Sequence, residues 1–198
     1  MEINGNAPGM VEGCFSTAKV SGGNVASVGG LVGGQQGTIA GSYSAGAVSA
    51  ANGNVGGLVG YNSSGEQLQS IINSYATGAV DGGDGGYAGG LTGYNNSLIS
   101  YSYSSGAVTG SGATLGGLIG GDASSAGSLV DNYWDTTTSG ITNLSQGAGN
   151  VANDPGITGL STKQLQAELP KGFSKTIWKE SKKLNGGLPY LISNPPSK

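Results

Sequence analysis

The chain has 198 residues, of which 41 are glycine, with a formal charge of −3, no histidine and a single cysteine, Cys14. That composition excludes an intrachain disulfide, a thiolate metal cluster and any nucleophilic triad built on imidazole, and it leaves zinc without its usual ligands. Six prolines and the absence of a Gly-X-Y period exclude collagen.

Charge is unevenly placed. Val20 to Asn150 contains no lysine or arginine and carries Glu66, Asp81, Asp84, Asp122, Asp131 and Asp135. Residues 151 to 198 hold seven of the eight lysines, dispersed and without any arginine, which reads as a solvated face and not as a nucleic-acid site. No apolar run is long enough to span a bilayer. Met1 leads into Glu2-Ile3-Asn4-Gly5 without the pattern of a signal peptide, so the chain reads as part of a longer exported protein.

From the N-terminus two words recur. Gly-Gly-Leu-x-Gly occurs at 29–33, 56–60, 89–93 and 116–120. Ser-Tyr followed by small residues and Gly-Ala-Val occupies 42–48, 74–80 and 102–108, with degenerate copies at Cys14 to Val20 and Asn132 to Thr136. A solvated linker has no physical reason to hold such words in register, and strands this short bury their apolar face only by stacking on their equivalents in the next repeat. The predicted fold is therefore all-β, a repeat β-solenoid over 1–150. Leu31, Leu58, Leu91 and Leu118 are expected to form one interior ladder, and Tyr43, Tyr75, Tyr103 and Tyr133 a second. The glycines are expected at corners of positive φ. Cys14 stands where later repeats have serine, an ordinary small residue in a repeat slot.

These words resemble the GLUG-motif repeat of large bacterial exoproteins and filamentous-haemagglutinin-like adhesins, over about Val11 to Asp135. The resemblance implies export and solenoid architecture, and it carries over no catalytic residue.

After Asn150 the pattern changes. Ser161 is placed as a helix N-cap with Gln164 as its capping-box partner and Leu160 positioned to staple against Leu165, so a short helix ending near Leu169, before Pro170, is expected. Phe173, Ile177, Trp178 and Leu188 to Ile192 supply the large apolar groups that the repeats lack. Residues 151–198 thus read as a small mixed α/β capping segment over the solenoid's open end, with Trp134, Trp178 and Tyr190 as buried aromatics.

Carboxylate pairs for glycoside cleavage are Asp131 with Asp135 and Asp81 with Asp84, in surroundings that give no reason for a raised pKa. Asp81-Gly82-Gly83-Asp84-Gly85-Gly86 resembles a calcium-binding glycine-rich repeat but occurs once, which leaves Asp81 and Asp84 as calcium candidates in a loop whose plainer reading is a solvated turn. The function expected is a structural or adhesive segment of a bacterial surface or secreted protein, not an enzyme. It has no cofactor other than that calcium, its partner is an extracellular glycan or protein, and it has no nucleic-acid contact or membrane insertion. A polysaccharide-active solenoid enzyme and a ligand-free spacer are the alternatives.

Overall fold

The structure is a computed structural model that describes residues 9–63 and 70–197, and of Val25 and Ala26 the backbone alone. Glu66 lies outside the described residues. The repeats wind into a β-solenoid of about 5 turns. Each turn crosses four sheets in the same sequence, and all pairing between turns is parallel.

Sheet A stacks Met10–Glu12, Thr38–Ala40, Ser70–Ile72, Leu98–Ser100 and Leu129–Val130. Sheet B stacks Phe15–Ser16, Tyr43–Ser44, Tyr75–Ala76, Tyr103–Ser104, Asn132–Asp135 and Ile157–Leu160. In sheet C the long strands Val20–Gly29 and Val48–Gly56 lead, and later turns divide the same path into Val80–Asp81 with Tyr87–Gly89, then Val108–Thr109 with Thr114–Gly116. Sheet D stacks Val32–Gln35, Val59–Ser63, Thr92–Asn96 and Ile119–Asp122.

Register places like on like: Ile39 pairs with Ile71, and Ile71 with Ile99, while Tyr43, Tyr75, Tyr103 and Tyr133 occupy one row. Leu58, Leu91 and Leu118 are fully buried in the main core with the isoleucine row, and Leu31 packs against them, so the leucine ladder is interior as expected. Stacked rungs lie about 4.8 Å apart, so equal apolar side chains in one row meet at van der Waals distance and bury one another.

The tyrosine row departs from the expectation. In sheet B the neighbouring positions Ala76 and Trp134 join the leucine and isoleucine core, whereas Tyr43, Tyr75, Tyr103 and Tyr133 form a separate cluster with Leu165, Phe173, Trp178 and Leu191. Successive residues of a strand point to opposite faces, so the tyrosines stand on the outer face. They are buried there because the C-terminal tail lies on them. Trp134 fills the core at the last turn, and its indole Nε1 donates to the Ile141 carbonyl at 3.1 Å.

Glycines such as Gly13, Gly41, Gly83 and Gly86 do sit at positive φ, but those of the Gly-Gly-Leu-x-Gly word do not. At Gly116 an added Cβ would lie 1.7 Å from the Ile119 carbonyl oxygen, so this position of the Gly-Gly-Leu-x-Gly word needs a bare Cα because the backbone folds back on itself, not because φ is positive. The left-handed corner that recurs in every turn lies between sheets A and B. There Gly13, Gly41, Asn73, Tyr101 and Asp131 have φ of 60°, 55°, 48°, 52° and 49°.

The residue after each corner explains the serine of the Ser-Tyr word. The Oγ atoms of Ser42, Ser74 and Ser102 each donate to the carbonyl two residues back, and each accept the backbone N–H of the equivalent residue one turn earlier. Asn132 takes this slot in the last turn. Cys14 takes it in the first, its thiol donating to the Glu12 carbonyl at 3.3 Å.

Within the segment read above as a cap, Ile157–Leu160 adds the sixth strand of sheet B. The helix α1 (Thr162–Leu165) has the full capping box of Ser161 and Gln164, and it closes at Gln166, one turn short of Leu169. From there the chain runs back along the outer face of sheet B as a strap. Tyr133 donates to the Lys171 carbonyl, Trp178 Nε1 to Asn73 Oδ1, and Asn194 Nδ2 to the Cys14 and Gly41 carbonyls. Within it Trp178–Lys179 and Tyr190–Leu191 pair antiparallel. Among the described residues no helix is long and apolar enough to cross a membrane.

Candidate ligand-binding surface

The strap covers the outer face of sheet B, while sheet D keeps an outer face bearing half-buried tyrosines. Tyr61 and Tyr94 are register partners whose rings stack with centroids 5.6 Å apart and planes 11° from parallel. Tyr87, from the neighbouring strand of sheet C, meets Tyr94 edge-on at 5.2 Å. The flanking rungs carry Gly34 and Gly121 at the same position, so the aromatic patch is confined to the middle turns. Tyrosine presents a rigid apolar body and a polar tip, the combination enriched at recognition surfaces. Sequence reading passed over these residues. The signal was present as Leu-x-Gly-Tyr-Asn at 58–62 and 91–95, in two of the four copies of the word.

The asparagine of that signal points inward. Asn62 Nδ2 donates to Asn95 Oδ1 and Asn95 Nδ2 to Asp122 Oδ1, each at 2.6 Å, and Gln35 Nε2 donates to Asn62 Oδ1 to begin the ladder. This amide row holds the strands that display Tyr61 and Tyr94 in a fixed register. Beside Tyr61, at the first turn, the end of the stack opens into a recess of about 690 Å³ with Val11, Leu31, Val32 and Ile39 in its wall.

The carboxylates singled out from sequence are all engaged. Asp81 and Asp84 lie exposed in one turn, where Asp81 Oδ1 accepts the Gly83 N–H at 3.1 Å and Asp84 Oδ1 accepts the Ser111 hydroxyl. Asp131 pairs with Lys171 at 3.4 Å. Asp135 is fully buried, accepting from the Thr137 N–H at 2.8 Å and the Thr162 hydroxyl at 2.6 Å, so it ties the last turn to the start of the helix. No cluster of three or more metal-ligand side chains occurs among the described residues. Trp134, Trp178 and Tyr190 are buried.

A carboxyl pair that the sequence reading did not single out closes the amide ladder. Burial, and then the neighbouring Asp122 carboxylate, push Asp154 up from 3.8 to about 6. Asp154 Oδ2 is buried with no hydrogen-bond partner among the described residues, and the Asp122 carboxylate beside it makes the charged form costlier still. Desolvation likewise raises Tyr43, Tyr75 and Tyr103 above their ordinary value, and raises Tyr133 to about 12, which keeps the strap-covered row neutral.

Stacked short strands, like-on-like ladders and close glycine corners define a parallel β-solenoid repeat protein. Residues 51–81, one full turn from the middle of a sheet C strand to the start of the next, match the family model of the GLUG motif, consistent with a GLUG-motif repeat region. No curated protein and no solved structure matches the chain.

Proposed function

We propose that this chain is a structural and adhesive segment of an exported bacterial surface protein, with an extracellular glycan or protein as its ligand. The observation that carries the reading is the half-buried Tyr61, Tyr94 and Tyr87 patch, which no strap covers among the described residues, on a rigid stack whose other tyrosine row is covered along its length by the strap. The chain has the means to bury tyrosines and leaves these three at the surface. The GLUG motif supports an exoprotein-type repeat domain, and the reading needs no cofactor and no catalytic group.

The test is an array of glycans and extracellular-matrix proteins probed with the purified chain and with the Tyr61→Ser, Tyr94→Ser double variant. Saturable binding to one ligand class, lost in the double variant while circular dichroism is unchanged, is the expected result. Silence across the array would sink the adhesive reading and leave a spacer.

A further inference from the structure

The strap covers four tyrosines, and among the described residues the hydroxyls of Tyr103 and Tyr133 have partners while those of Tyr43 and Tyr75 have none. Tyr103 Oη donates to the Pro189 carbonyl at 2.6 Å and accepts from Asn185 Nδ2 at 2.7 Å, and Tyr133 Oη donates to the Lys171 carbonyl at 2.9 Å. Tyr43 is 1% exposed, and its hydroxyl is buried with no hydrogen-bond partner among the described residues. A buried hydroxyl without a partner is costly and uncommon in folded proteins, so its retention calls for a reason. Phenylalanine serves at the same row position one turn earlier, where Phe15 stacks on Tyr43 at 5.2 Å, so packing alone does not require the hydroxyl.

Tyr43 forms part of the wall of a recess of about 400 Å³ between the first turns and the strap. Thr17 contributes from the solenoid, and Lys183, Asn185, Pro196 and Ser197 contribute from the strap. That volume lies within the range of small-ligand sites, about 300–1,000 Å³. Among the described residues the lining has one cation, Lys183, and no carboxylate. Hydroxyl donors beside an ammonium, with a proline as apolar wall, match a carboxylate carried on a compact, partly apolar body.

We propose that this recess binds the carboxylate of an acidic saccharide, with Tyr43 Oη donating to the carboxylate and Lys183 pairing with its charge. This names a ligand class for the adhesive reading above and rests on it. It places a second contact on the flank opposite in role to the uncovered tyrosines, at the junction of strap and stack. A neutral sugar offers the ammonium nothing to pair with, so charge is the basis of selection.

The experiment is an NMR titration of the full chain with D-glucuronate, and with D-glucose as the neutral control, following backbone amides. Glucuronate is expected to give saturable shifts at Thr17 and at Lys183 to Gly186 that weaken with added salt, and glucose none. Tyr43→Phe and Lys183→Met are each expected to weaken binding about tenfold, the effect of losing a hydrogen bond to a charged group. Phe15 at the equivalent position indicates that Tyr43→Phe folds, and Thr17→Val with Lys183→Met carries the test should it not.

Glucuronate shifts that are absent, or that persist unchanged in both variants, overturn the proposal. A neutral glycan found on the array whose binding survives both variants overturns the recess and keeps the adhesive reading. Glucuronate binding at the recess together with a silent array keeps the recess and removes the adhesive reading.

Discussion

At Gly41 the backbone has φ of 55°, yet the nearest atom to an added Cβ is 3.9 Å away, so the cost of a side chain there is conformational and not steric. Gly41→Ala is expected to destabilise the fold by about 1 kcal/mol and Gly41→Asn by less, since asparagine tolerates the left-handed region. Chemical denaturation of both variants checks this, and equal losses would show that crowding sets the cost. The same corner accepts Asn73, Tyr101 and Asp131 in later turns, which is why it was invisible as a glycine motif. The glycines that stood out in the sequence mark close backbone approach instead. At Asp154 a raised carboxyl means that the folded chain holds its proton longer than the unfolded chain does. Stability from this group is present below about pH 4 and lost as pH rises through about 6. Asp154→Asn is therefore expected to match the parent near pH 4 and to exceed it at pH 7 by about 1 kcal/mol, a figure reduced for solvent screening of a half-exposed group. Thermal unfolding at the two pH values reads the difference, and a variant less stable at pH 7 would refute the raised Asp154 carboxyl.

Among the elements, the strap depends on one aromatic contact. Phe173 and Trp178 stack at 4.5 Å, and Trp178 leans on both Tyr75 and Tyr103 at about 6 Å. Trp178→Ala is expected to cost about 3–5 kcal/mol, the range for removing a large buried aromatic, and to expose the tyrosine row to an apolar dye. Dye binding that stays at the parent level would mean the strap holds without it. The repeat words made the strands and the leucine ladder legible, and the spacing of Ser161 and Gln164 in the tail did the same for the capping box. They could not show which way the tyrosines face, because a strand of two residues has no alternation to read, and the partner that buries them lies far along the chain. Tyr61 and Tyr94 were missed for a related reason: their rungs are flanked by Gly34 and Gly121, so the aromatic repeat covers only two turns.

For the whole molecule, the two ends of the stack differ. The last turn is closed by Trp134 inside and by Ile157–Leu160 as a further strand, while the first leaves Met10 and Phe15 more than half exposed beside the open recess. Stacked repeats ordinarily gain stability only from nearest neighbours. Here the strap adds contacts from the last turn back to the first, tying turns that do not touch. That return path also fixes where force enters. Asn194 lies against Cys14 and Gly41, so the chain leaves the stack beside the place where it began. Tension applied between residues 10 and 194 is borne at one end, by the final strap contacts and the first rung, and the remaining turns hang clear of the load.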